Sequence, residues 1–216
     1  MNVVYVFGLF ENKTDPLFSW LKNHTESLGV RWHGLEMYSA PSFGSRPILD
    51  ELERAGQTLA EIKPDLIVAH SLGAYTAAQL ALDCPVILLD PSLALHEIIL
   101  PNTKKVDATW LYDDGEYRAE ISDAFMTPLV HTPSIEESAE KLRLRNIPVH
   151  IFGAGKGGHK IAERYHRNIP NSRYTFLSHA DHAFSGENER NEILTLMKKQ
   201  LGATPSRSED VRTRLV

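Results

Sequence analysis

Cysteine is nearly missing from this 216-residue sequence, in which Cys84 stands alone. An internal disulfide is therefore excluded, folding needs no oxidising compartment, and a cytoplasmic setting is the default expectation. Long apolar runs are missing as well. The apolar opening, Val3 to Phe10, falls far short of the ~20 residues that span a bilayer. It has no basic stretch before it and no small-residue cleavage pattern after it, so it reads as a buried strand, and no membrane insertion is expected. Nor is there an excess of positive charge: 23 Lys and Arg stand against 28 Asp and Glu, a formal charge of −5. That balance lacks the basic stripe needed to bind a phosphate backbone, so no nucleic-acid partner is expected. Repeats and low-complexity tracts are absent too, and 42% hydrophobic with 24% charged residues is the composition of an ordinary globular chain.

What is present is alternation. Short apolar runs, rich in β-branched and aromatic residues, predict strands at Val3 to Phe7, Val30 to Leu35, Leu66 to Ala69, Val86 to Leu89, Val149 to Phe152 and Tyr174 to Leu177. Amphipathic segments predict helices at Pro16 to Leu28, Pro47 to Ile62, Leu72 to Leu82, Ile135 to Leu144, Lys160 to Asn168 and Glu187 to Leu201, with Pro16 and Pro47 in first turns. Crossover units of this kind build a mostly parallel sheet. The fold class predicted is α/β, a three-layer sandwich around an open six-stranded sheet, forming one domain over residues 1–202. The stretch from Asp90 to Pro133 is too long for a plain connection and carries the turn signal Asp113-Asp114-Gly115. It predicts a cap insertion over about residues 92–133, which lays its apolar side chains on the sheet edge. Residues 203–216 read as a polar tail that frays.

Asp65-Leu66-Ile67-Val68-Ala69-His70-Ser71-Leu72-Gly73-Ala74 runs from a buried strand through a polar corner into an alanine-rich helix. On its own this could be a helix start with Ser71 as its N-cap. It also resembles the nucleophile elbow of the α/β-hydrolase family, G-x-S-x-G, with Ala69 in place of the first glycine. The resemblance implies Ser71 as nucleophile and the N–H of Leu72 as one oxyanion donor. It places the second donor in the loop after an early strand, here Gly8-Leu9-Phe10-Glu11, where Leu9 is the first choice and Phe10 the fallback. A serine hydroxyl needs a base. The segment Ser178-His179-Ala180-Asp181-His182-Ala183-Phe184, after the last strand, is similar to the family's histidine loop and makes His182 the base. Asp181 abuts it too closely to orient it and is read as a loop-shaping hydrogen bonder. His179, Asp181 and His182 could also be metal ligands, but no further cluster stands at a zinc-like spacing.

The family commonly carries its acid after the next-to-last strand, where this sequence has only Gly153-Ala154-Gly155-Lys156-Gly157-Gly158. Some lipase-like members place it after the strand that follows the nucleophile helix, and Asp90 sits there; the alternatives are a dyad with no acid or with one lent by the cap, Asp90 then being a turn cap before Pro91. The glycine loop also matches G-x-G-x-x-G, yet only 58 residues follow Gly158, too few to complete a dinucleotide-binding domain. A narrower role is left, in which its N–H groups, Lys156 and Lys160 hold a carboxylate or phosphate of the substrate. Phe10, His70, Trp110, Gly155 and Lys156 are expected to line the substrate. The resemblance implies a serine esterase or thioesterase acting on a small acyl substrate without cofactor or metal. The competing reading is an inactive hydrolase fold that binds a small ligand or protein. The oligomeric state is left open.

Overall fold

A computed structural model describes residues 1–38, 43–80, 83–107, 109–115, 117–155 and 159–203. The elements in chain order are β1 (Asn2–Val6), α1 (Pro16–Thr25), β2 (Arg31–Leu35), α2 (Ile48–Ile62), β3 (Leu66–His70), α3 (Leu72–Gln79), β4 (Val86–Leu89) and α4 (Leu95–Ile99). They continue with β5 (Thr103–Val106), β6 (Thr109–Asp113), β7 (Arg118–Ile121), α5 (Asp123–Leu129), α6 (Ile135–Leu144), β8 (Val149–Ala154), α7 (His159–Asn168), β9 (Arg173–Leu177) and α8 (Glu187–Ala203). All six expected strands join one parallel sheet, in the order β2-β1-β3-β4-β8-β9. Every strand therefore ends at the same edge, and the loops that leave β1, β3, β4, β8 and β9 gather there.

The sheet is buried on both faces, and the two-residue period of its strands divides the core. Val4 and Val6 of β1, Ile67 and Ala69 of β3, Val86 and Leu88 of β4, and Val149 and Ile151 of β8 belong to one cluster, with side chains of α2, α3, α6 and α7. Val3, Tyr5, Leu66, Val68, Ile87, Leu89 and Phe152 face the other way, onto α1 and α8. Local chemistry fixes the helix starts. The Asp15 carboxylate accepts from the N–H of Phe18 ahead of Pro16, and Ser134 and Glu137 form a capping box at α6. Pro47 is itself the N-cap of α2 rather than a first-turn residue. The expected extension of α3 through Ala81 and Leu82 lies outside the described residues, as do the tail residues 204–216.

The stretch between β4 and α6 forms a small antiparallel sheet, β5-β6-β7, flanked by α4 and α5. Its apolar side chains Ile99, Tyr112, Ile121, Phe125 and Leu129 join the cluster that contains Leu72. Phe43, on the loop after β2, packs edge-on against Tyr112 and Phe125. Ser122 donates to the Gly44 carbonyl through both its N–H, at 2.9 Å, and its hydroxyl, at 2.8 Å. No described helix is long and apolar enough to cross a membrane.

Candidate active site

Ser71 stands between the last residue of β3 and the first of α3, with φ 52° and ψ −122°. A non-glycine residue held there costs about 1–3 kcal/mol. Its side chain makes no capping hydrogen bond, so the N-cap reading does not account for it. Backbone bonds hold the corner: the Ser71 N–H donates to Leu89 at 3.0 Å, and its carbonyl accepts from Ala74 at 3.0 Å and Ser92 at 3.3 Å. Only glycine fits two residues on, because a Cβ on Gly73 would lie 2.1 Å from the Val6 carbonyl oxygen. The helix thus starts hard against β1.

Asp90 follows β4 with its side chain wholly buried. One carboxylate oxygen accepts from the Ala154 N–H at 2.9 Å, and the other lies 2.6 Å from Nδ1 of His182. Both oxygens are therefore engaged. His182 is half exposed, at 49% of its side chain, and with Nδ1 donating to the carboxylate its Nε2 is the basic nitrogen. The His182 ring lies 4.9 Å from that of His70, the neighbour of Ser71. Among the hydrogen bonds of the described residues none joins the Ser71 hydroxyl to His182. Asp181 shapes the loop by accepting from the N–H of Ser185 at 2.9 Å and, through its carbonyl, from Phe184 at 3.1 Å.

No known family profile and no curated protein matches the sequence. Solved structures do. Est1E from Butyrivibrio proteoclasticus superposes with a TM-score of 0.69 at 15% identity, over 93% of this chain and 88% of that one. The Paleococcus ferrophilus monoacylglycerol lipase gives 0.62 at 15% identity, over 92% and 94%. An esterase domain from a Rhodothermus marinus protein gives 0.64 at 14%, over 92% and 85%. The fold is that of the α/β-hydrolases.

Within this α/β-hydrolase fold the two N–H groups expected to face an oxyanion, those of Leu9 and Leu72, make no hydrogen bond to another described residue. The fallback donor does not serve, because Phe10 commits its N–H to the Tyr38 carbonyl at 3.0 Å. The loop approaches the nucleophile closely, since a Cβ on Gly8 would come within 2.9 Å of Ser71 Cβ.

Two expectations about the substrate-lining residues, His70 and Gly155, need correction. His70 is 2% exposed, with Nδ1 2.5 Å from Glu11 Oε1 and Nε2 2.7 Å from the His182 carbonyl. No ring nitrogen is left for a substrate. The alternation of β3 sends His70 to the same face as Leu66 and Val68, and that signal was present in the sequence. Gly155 gives its N–H to Leu177 at 2.9 Å, and a Cβ there would lie 2.1 Å from the Ser178 carbonyl oxygen. Its role is close strand-end packing, and with the Ala154 N–H spent on Asp90, neither group is free for an anion. Lys156, with Gly157 and Gly158, lies outside the described residues. Trp110 donates its indole N–H to Asp123 at 2.6 Å and lies under the Lys105 ammonium, 5.2 Å from the ring centre. Phe10 faces the cap, stacked on Tyr117 at 4.4 Å.

Glu11 is the residue that sequence reasoning passed over. Burial pushes its carboxyl up, but the His70 charge and hydrogen bond, with the Gly8 N–H, bring it below its usual value. Burial alone would lower the His70 pKa, yet Glu11 and the His182 carbonyl raise it to about 9.

Proposed function

We propose that the protein is a serine hydrolase acting on carboxylic esters or thioesters. The observation that carries this reading is the 2.6 Å contact of His182 Nδ1 with the buried Asp90 carboxylate, at the sheet edge that also carries the strained Ser71. Ser71 Oγ attacks the acyl carbon and passes its proton to His182 Nε2. The oxyanion is received by the N–H groups of Leu72 and Leu9. His182 returns the proton to the departing alkoxide or thiolate, then activates water to cleave the acyl-serine. Asp90 keeps the imidazole in the required tautomer and stabilises its charged form. The esterase and lipase neighbours support this class of chemistry through the fold they share.

The test is labelling by a fluorophosphonate, followed by mass spectrometry. The adduct is expected on Ser71, and Asp90→Asn should slow its formation by up to ~10⁴-fold, the scale of losing a triad acid. Folded protein that stays unlabelled under conditions that modify a serine esterase would favour the ligand-binding reading instead.

A further inference from the structure

Beneath the nucleophile, Glu11 and His70 form a pair that none of the catalytic steps uses. Its hydrogen bonds link one loop to the other, with Glu11 accepting on both sides and His70 donating on both. The Gly8 N–H donates to Glu11 Oε2 at 2.7 Å, Glu11 Oε1 lies 2.5 Å from His70 Nδ1, and His70 Nε2 lies 2.7 Å from the His182 carbonyl. A carbonyl can only accept, so Nε2 carries a proton. With the Glu11 carboxyl held below its usual pKa and His70 raised to about 9, the proton between them lies on Nδ1, so the ring is an imidazolium with both nitrogens donating. Burying such a pair yields little net stability, because desolvation offsets the attraction. What it supplies is a fixed geometry. One of its ends fixes the loop that carries Leu9, the other fixes the backbone of the base.

We infer that Glu11 and His70 are positioning residues, a brace that holds the oxyanion loop and the His182 loop in a fixed relation to each other. Their significance for catalysis rests on the proposed hydrolase reading; the mechanical coupling does not. The Phe184 ring packs edge-on to that of His70, with the ring centres 6.0 Å apart. Without the brace each loop would be tied to the sheet only by its own bonds.

Hydrogen exchange of the whole protein, read by mass spectrometry, tests the coupling without reference to activity. His70→Leu should speed exchange by ~10-fold or more in peptides covering both residues 8–11 and residues 179–185. Should that variant fail to fold, Glu11→Ala carries the same test, because Glu11 lies on a loop with 18% of its side chain exposed. Glu11→Gln keeps an acceptor for Gly8 and can donate to a neutral His70, so it should recover most of the protection. Faster exchange in one loop only, or in neither, overturns the brace. Under turnover, Glu11→Ala should lower kcat by ~10²-fold, the scale of a small misplacement, with KM little changed. An equal rise in KM with kcat intact would overturn the positioning role. If wild-type Ser71 resists the fluorophosphonate, the hydrolase reading falls while the exchange result still decides the brace.

Discussion

Three residues mark the difference between what local sequence can and cannot carry. The placement of Ser71, Asp90 and His182 at one sheet edge was legible because each follows a strand, and in a parallel sheet all strand ends meet at one edge. The bond between Asp90 and His182 spans 92 positions, and nothing in either local segment states it. Glu11 and His70, 59 positions apart, were illegible for the same reason: a charge in a loop reads as solvated until a partner is placed over it. The pair makes a prediction about pH. The His70 pKa stands at about 9 in the folded protein against 6.5 ordinarily, so its stabilising contribution is complete below about 6.5 and fades as pH rises toward about 9. Glu11, whose pKa is lowered, contributes above its ordinary value and loses that contribution as pH falls through its folded one. The charged groups that act on His70 are Glu11 and Asp15, with the His182 carbonyl on Nε2. The gap in urea midpoints between wild type and His70→Gln should therefore be shifted most in favour of wild type near about pH 6 and should lose that pH-dependent part as pH rises through about 9. His150, which burial and Arg173 lower to about 4, acts in the opposite sense but cancels in the difference. A gap that stays constant with pH would contradict an imidazolium at His70.

At the scale of elements, the six sheet strands and most of the helices were readable because burial on both faces demands continuous apolar runs and because α1 and α6 carry their own caps. The cap was not readable in detail. β5 is Thr-Lys-Lys-Val with its last three residues exposed, so it shows no alternation, and it is a strand only because β6 pairs with it. A close constraint between elements is that of α3 on β1. Gly73→Ala would drive a Cβ to 2.1 Å from the Val6 carbonyl oxygen and 2.9 Å from that of Phe7. Backbone cannot move aside as a flexible side chain can, so the substitution should cost about 3 kcal/mol or more in denaturant unfolding. The contrast is Gly56, inside α2 with nothing within 4 Å of its added Cβ. Gly56→Ala should stabilise the protein by about 0.8–1 kcal/mol through helix propensity alone. Equal effects at the two glycines would show that the elbow is not packed as tightly as this geometry states.

For the whole molecule the decisive relation is between the cap and the loops at the strand ends. Phe10, one residue past Leu9, meets Phe43 edge-on at 5.1 Å, approaches Tyr112 at 5.9 Å and stacks on Tyr117 at 4.4 Å. Tyr112 and Phe43 are buried, while Tyr117 is 46% exposed. One side of the Phe10 ring is thus set by the core, the other by a cap residue open to solvent. An acyl chain entering beside Ser71 would compete with Tyr117 for that ring face, so chain-length preference should depend on Tyr117 more than on Trp110, whose indole is committed to Asp123 and Lys105. Tyr117→Ala should shift the ratio of kcat/KM for short over long p-nitrophenyl esters by roughly 10-fold toward the long ones, with fluorophosphonate labelling of Ser71 within about twofold. Trp110→Ala should shift it less. If Trp110→Ala moves the ratio and Tyr117→Ala does not, the acyl chain runs along the outer strands of the cap, and the aromatic contact with Phe10 serves only to hold the cap in place.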